Sequence, residues 1–339
     1  MKILVTGANG MLGQAVVAEA CRRGHEVRAL VRPAARIEAL GWDPSIDVVR
    51  ADLRSSTDLV AAFDDVDVLV HLAAAVTGGE DLQFASTVRG TERLLEAMTQ
   101  SHTKALVLVS SLSVYDWSKV QRELAEHSPL EADVYNRDGY AIAKIWQERL
   151  ARRFSAKQGW RLTVLRPGFI WGRQNAMVSG IGQVVGPAFV VVAPRALPPL
   201  THVANCADAT LTATEMPAAS GETFNIVDEH GVSSWHYAKC YMRYTGPQRF
   251  RFPVPYALGV SLVYIAHATS KAMFRGKGKL PSVLVPRRFE ARFKPVSCSH
   301  HKLRSILGWS PPFSFEECLR LTYGPPVAVH SLSEQHIFR

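Results

Sequence analysis

Lys2-Ile3-Leu4-Val5-Thr6-Gly7-Ala8-Asn9-Gly10-Met11-Leu12-Gly13 is the stretch that decides the fold of this chain. An apolar strand runs straight into three glycines spaced by three, and apolar positions at helical spacing continue from Gln14 to Arg23. A turn this tight needs Gly7 for its backbone angles. Gly10 leaves room for a close-lying phosphate, and Gly13 lets the helix pack against the sheet. The helix start then offers free amides and the positive end of its dipole to an anion. The expected ligand is a dinucleotide, with its pyrophosphate along Gly7, Asn9, Gly10, Met11, Leu12 and Gly13.

Outward from this turn, apolar strands alternate with amphipathic helices. The strand candidates are residues 3–6, 26–31, 48–50, 66–71, 105–110 and 161–166, and the intervening helices are 14–23, 56–63 and 91–99. Gly24 comes after the first helix where a left-handed residue is wanted. Repeated strand-helix order predicts an α/β chain built as a Rossmann-type, doubly wound parallel sheet. Residues 1–166 are expected to form the dinucleotide-binding core. From Pro167 proline and glycine become common, so residues 167–324 are expected to be a smaller, partly interleaved substrate region. Residues 325–339 are expected to be a tail.

With 339 residues and 47% hydrophobic content, the chain has the makings of a large core. Five cysteines (Cys21, Cys206, Cys240, Cys298, Cys318) show no disulfide or metal-ligand spacing, and no metal is expected. The N-terminus enters a strand without a basic and apolar leader, which points to the cytoplasm. The net charge of +9 sits entirely between Lys271 and Arg304, where ten bases face one acid, Glu290. No nucleic-acid module accompanies this stripe, and no nucleic-acid partner is expected.

The second strand is succeeded by Arg32, where an NAD-preferring site carries an acid for the ribose 2′-hydroxyl. A guanidinium there grips a 2′-phosphate through two parallel hydrogen bonds, so NADP(H) is favoured over NAD(H). Far downstream comes Tyr140-Ala141-Ile142-Ala143-Lys144. Four residues apart on a helix, the phenol and the ammonium share a face. A nearby cation is expected to bring the phenol down from about 10 into range as a general acid or base. Ser111, ending the fifth strand, is the third member, placed to hold a substrate oxygen where negative charge develops. Asp52-Leu53, His71-Leu72-Ala73-Ala74 and Ser110-Ser111 each lie at a C-terminal strand end, where open sheets bind ligands.

On these motifs the chain resembles the extended short-chain dehydrogenases/reductases of the NAD(P)-dependent epimerase/dehydratase superfamily. The resemblance covers residues 1 to about 230 and resumes at Leu307-Gly308-Trp309-Ser310-Pro311 and Phe315-Glu316-Glu317-Cys318-Leu319. It implies Ser111, Tyr140 and Lys144 as the catalytic set. It also implies adenine contacts at Asp52 and Leu53, central cofactor contacts at Leu72, Ala73 and Ala74, and a nicotinamide bordered by Pro167 and Gly168. One departure stands out: Thr87 precedes Val88-Arg89-Gly90-Thr91 where the family usually has asparagine.

Dehydratases of the family carry an acid pair after the catalytic hydroxyl, whereas this chain has Leu112 and Ser113. Arg166-Pro167-Gly168-Phe169-Ile170-Trp171-Gly172 puts aromatics where sugar epimerases usually place asparagine. Together with His202-Val203-Ala204-Asn205 and the apolar residues 253–268, this resembles the 3β-hydroxysteroid dehydrogenase-like branch. That branch implies hydride transfer between NADP(H) and a hydrophobic ketone or secondary alcohol. Nucleotide-sugar 4-epimerisation and non-catalytic NADP sensing remain the alternatives. The resemblance also implies a possible homodimer. Residues 256–274, short of the roughly 20 apolar residues that span a bilayer, are read as a cover for the substrate pocket. Peripheral membrane contact through residues 253–304 is the competing reading.

Overall fold

The computed structural model describes residues 1–55, 58–134, 137–246, 250–274 and 280–325. The first half runs β1 (Lys2–Thr6), α1 (Met11–Arg22), β2 (Glu26–Val31), β3 (Asp47–Arg50), β4 (Val68–His71), α2 (Glu80–Phe84), α3 (Gly90–Thr99), β5 (Ala105–Val109), β6 (Glu123–Leu124) and α4 (Gly139–Gln158). Next come β7 (Arg161–Pro167), β8 (Phe169–Trp171), β9 (Gly182–Val185), β10 (Ala188–Val192), β11 (Leu200–His202), α5 (Val203–Glu215), β12 (Thr223–Ile226) and α6 (Ser234–Thr245). The chain continues through β13 (Phe250–Val254), α7 (Tyr256–Phe274), α8 (Pro286–Phe293), β14 (Ser297–Cys298), α9 (His301–Leu307) and α10 (Phe315–Tyr323).

Seven strands form one parallel sheet in the order β12-β7-β5-β4-β1-β2-β3. The strand order reverses between β1 and β4, which opens a crevice at their carboxyl ends. Helices cover both faces because alternate strand residues are apolar in both directions. Ile3, Val5 and Val70 pack under α1, α5 and α9, while Leu4, Leu69 and Leu106 pack under α3 and α4. Arg23 ties α1 to α5 through Glu19, Asp208 and Glu215.

Every strand expected in the first half is present, with ends shifted by at most two residues. The helix expected at 56–63 is a correction. Ser56 and Thr57 lie outside the described residues, and the rest of that segment forms only a single 3-10 turn at Ala61–Phe63. Asp58 accepts the amide of Ala61, and a side chain bonded this way competes with the helical ladder. Leu59, Ala62 and Phe63 are buried, which accounts for the helix-like spacing. The expected tail lies outside the described residues apart from Pro325.

Beyond β7, a small sheet orders β13-β10-β9. On one face Phe189 and Val191 pack inward, with Phe189 against Tyr241 of α6. α7 lies on the other face at the far end, where Val192 meets Val263. α10 closes this region with a capping box between Ser314 and Glu317.

Candidate active site

The glycine turn has the geometry its spacing demands. Gly7 has φ +68°, and a Cβ there would lie 3.0 Å from the backbone of Ala73. A Cβ at Gly13 would stand 2.1 Å from the Gly7 carbonyl oxygen. Gly10 is exposed and caps α1 without a side chain, so the first helical amides, those of Met11 and Leu12 among them, face outward unpaired by a cap. Asn9 is tied in through its carbonyl, which accepts from Gln14. These features fit a dinucleotide pyrophosphate: a dipole, open amides and no side chain in the way.

At the switch point, Thr6 and His71 are paired across β1 and β4, and Thr6 Oγ1 lies 2.6 Å from His71 Nδ1. His71 Nε2 meets Thr91 Oγ1 at 2.8 Å. Burial, aided by the Lys144 charge, pushes His71 down to about 3, so it is neutral. Thr87 is buried in a π turn at Ala85–Arg89, and its hydroxyl accepts the amide of Ala75 at 3.0 Å. The hydroxyl that replaces the family's amide therefore holds the loop after β4.

Ser111 comes just after β5 and caps a short 3-10 turn, accepting from the Ser113 amide. Tyr140 stands in the first turn of α4, whose cap Asp138 accepts the Ala141 amide. Gly139 is needed because a Cβ there would lie 2.8 Å from Glu80 Cα of α2. The phenol of Tyr140 is close enough to Ser111 for a hydrogen bond to pull on its acidity, yet burial pushes it up to about 12, with Asp138 adding to the rise.

This reverses the expectation that Lys144 would lower the phenol. Lys144 Nζ donates instead to Val109 O and Gln147 Oε1, both at 2.8 Å. Burial drives the ammonium down to about 7, against the pull of Glu148. In this apolar setting desolvation outweighs attraction. Gln147 is a member of this buried network that sequence reasoning missed. Its amide nitrogen lies 2.9 Å from Thr91 Oγ1, 3.0 Å from His71 Nε2 and 3.1 Å from Ala73 O. The available signal was its place three residues after Lys144, one turn along the same face.

Behind the site, Glu148 pairs with Arg166 in full burial, and Ser110 donates to the same carboxylate at 3.0 Å. Arg166 also donates to the Tyr115 hydroxyl at 2.8 Å. This network ties the ends of β5 and β7 to α4, which sets Ser111 and Pro167 relative to Tyr140. Pro167 is buried, and at Gly168 a Cβ would lie 2.0 Å from Pro199 O.

Arg32 is exposed just past β2, with no side-chain hydrogen bond or salt bridge among the described residues. Asp52 is held by Arg54 at 2.7 Å, and that bond with the neighbouring positive charges lowers its carboxyl to about 2. Leu53 is buried against Gly90, and Leu72, Ala73 and Ala74 are half-buried beside the crevice. Beyond Gly168, a pocket lined by Trp117, Phe169, Leu197, Pro199, Arg292 and Phe293 has about 10 Å³ open, room for about one water. A larger cavity of about 580 Å³ lies along β12, lined by residues such as Glu126, His127 and Lys302, away from all these positions. Among the described residues the one grouping of metal-ligand type is Asp228, His230 and Cys318. There Asp228 is already engaged by Thr201 and the His202 amide, and burial raises the Cys318 thiol.

Residues 3–227 match the model of the NAD dependent epimerase/dehydratase family. A 3 beta-hydroxysteroid dehydrogenase/Delta 5-->4-isomerase of Mycobacterium tuberculosis is 25% identical, over 94% of this chain and 88% of the relative. A 4-hydroxy-2-methyl-3-oxo-4-farnesyl-3,4-dihydroquinoline-1-oxide ketoreductase of Stigmatella aurantiaca is 30% identical, over 67% of this chain and 68% of the relative. Two 3beta-hydroxysteroid-dehydrogenase/decarboxylases of Arabidopsis thaliana match 82% of this chain at 23% and 24% identity, and the chain spans 51% and 66% of their lengths. Among solved structures, UDP-Glucuronic acid 4-epimerase from Bacillus cereus, in complex with UDP-Glucuronic acid and NAD, superposes with a TM-score of 0.70 at 20% identity. That match covers 95% of this chain and 98% of the epimerase, and at such identity it is a likeness of fold.

Proposed function

The chain belongs to the NAD dependent epimerase/dehydratase family, and from that premise we propose that it is an NADP(H)-dependent oxidoreductase interconverting a hydrophobic ketone and its secondary alcohol. The observation that carries this reading is the meeting of Ser111 and Tyr140 where β5 ends and α4 begins, with Lys144 one turn further along α4, its ammonium held by Val109 O and Gln147.

When bound, the nicotinamide supplies or accepts the hydride. The chain's own residues handle the oxygen and the proton. Tyr140, pushed up to about 12, stays protonated across neutral pH and is ready to donate to a carbonyl oxygen as it gains negative charge. Ser111 offers that oxygen a hydrogen bond. Lys144, buried and poised near 7, gains its proton most readily when polar cofactor oxygens enter beside it. The amides at the start of α1 would take the pyrophosphate. Asp52 and Leu53 would border the adenine, Leu72 to Ala74 the central cofactor, and Pro167 the nicotinamide. Arg32 stands where a 2′-phosphate would need its counter-charge, and the Asp52 carboxylate that would oppose it is occupied by Arg54.

A hydrophobic, sterol- or lipid-like substrate suits the aromatic lining beyond Gly168. The space open there is small, and α8 and Leu197 border it. NADPH oxidation with a panel of hydrophobic ketones, for wild type and Tyr140→Phe, tests the proposal. Turnover that depends on Tyr140 supports it. Interconversion of a UDP-sugar with no net use of NADPH would replace it with the epimerase reading. Tight NADPH binding without any turnover would replace it with cofactor sensing.

A further inference from the structure

We propose that the apolar surface formed by α7 and the open face of the β9–β10–β13 sheet docks on an anionic lipid membrane. Strand register shows how the strand part of this surface is built. Ala188 pairs with Phe250, Val190 with Phe252 and Val192 with Val254. Arg251 points to the α6 side, stacking over Trp235 at 4.3 Å, so Phe250 and Phe252 point to the other. They are 64% and 62% exposed, beside Val185 at 58%. Further along that same face, Val192 and Val254 pass under α7. Gly259 sits there, 3.5 Å from Val254 by its would-be Cβ, and Val263 is buried.

α7 therefore lies on the face that exposes the two phenylalanines. Its outward side carries Leu258, Leu262, Ile265 and Met273, each between 53% and 71% exposed, at spacings that form one stripe. Patches of this kind mark interaction sites. No helix among the described residues is long and apolar enough to cross a membrane, so the surface lies on one.

Charge selects the occupant. Lys271 is exposed in the last turn of α7. The sequence directly after that helix, Arg275-Gly276-Lys277-Gly278-Lys279, adds three bases and no acid. Bases that follow an apolar helix in sequence attract anionic headgroups. The membrane surface is independent of the catalytic reading. Under that reading it has one consequence: Ala193 and Phe293 belong both to the layer beneath α7 and to the small pocket beside Phe169, so lipid contact lies next to the substrate's way in.

The test is flotation of the full chain with vesicles of phosphatidylcholine alone and of phosphatidylcholine mixed with phosphatidylglycerol. The expected result is binding to the mixed vesicles that weakens at high salt. Leu262→Glu with Ile265→Glu should weaken it by at least about tenfold. Lys271→Glu should weaken it less. NADPH binding by all variants, read by fluorescence, should be unchanged, which also shows that they fold. Absence of vesicle binding, or binding indifferent to the α7 changes, overturns the proposal. So does a lipid-free dimer that Leu262→Glu with Ile265→Glu dissociates, since the surface would then belong to a second copy of the chain.

Discussion

Replacing Gly13 by alanine puts the glycine turn to its hardest test. The new methyl would stand 2.1 Å from the Gly7 carbonyl oxygen and 2.7 Å from the Cα and oxygen of Ala8. Every atom it meets is backbone, so no rotamer change relieves the clash. A normal contact requires α1 to move away from β1 by about an ångström, and overpacking of this kind costs about 3 kcal/mol. Unfolding entropy of about 2.1 cal/mol/K per residue amounts to about 0.7 kcal/mol/K over 339 residues. The melting temperature should therefore fall by about 4 °C. The same movement shifts the Met11 and Leu12 amides away from the pyrophosphate, so NADPH affinity should fall by about tenfold or more. Gly24→Ala is the control. Its φ of +79° makes a side chain strained, but a Cβ there meets nothing within 4 Å. It should cost about 1 kcal/mol and leave cofactor affinity intact. Thermal melts and NADPH titrations of both variants decide the matter. A Gly13→Ala protein that melts and binds like the Gly24→Ala control refutes the close-packed turn.

Tyr140→Phe should cut NADPH-dependent turnover by about 100-fold or more while leaving NADPH affinity nearly unchanged. Retention of full turnover across all active substrates would remove Tyr140 as the acid. Arg32→Asp should lower the ratio of NADPH to NADH affinity by about 30-fold or more, the worth of a lost charge-assisted pair. An unaltered ratio would dismiss Arg32 as the selector. His71 should make the fold acid-sensitive: burial depresses it from its ordinary 6.5 to about 3, so the stability it contributes is complete above 6.5 and is lost as pH falls toward 3. The loss is on the order of 4 kcal/mol. His71→Gln, which does not titrate, should flatten this part of the pH–stability curve, and parallel curves for the two proteins would contradict the assignment.

The geometry of the glycine turn was readable because it is local. The glycine spacing acts within one turn, and the strand before it and helix after it are continuous in sequence. Arg32 and Asp52 could be placed by counting to the ends of strands, although only the structure showed Asp52 bound to Arg54. The 56–63 segment misled because buried apolar residues at helical spacing do not require a helix when a side chain such as Asp58 competes for the amides.

The sequence by itself determined the alternation of strands and helices, the glycine turn between β1 and α1, and the residue types at 111, 140 and 144. Periodicity and backbone sterics are written residue by residue, so these needed no knowledge of distant neighbours. The tertiary structure alone decided how those groups ionise. Lys144 turned away from the phenol toward Val109 and Gln147, and burial moved the two pKa values apart instead of together. It also decided that Phe250 and Phe252 lie exposed on the sheet face that α7 covers at its other end. Desolvation and shared surface depend on what packs around a group, and that neighbourhood is assembled from segments far apart along the chain.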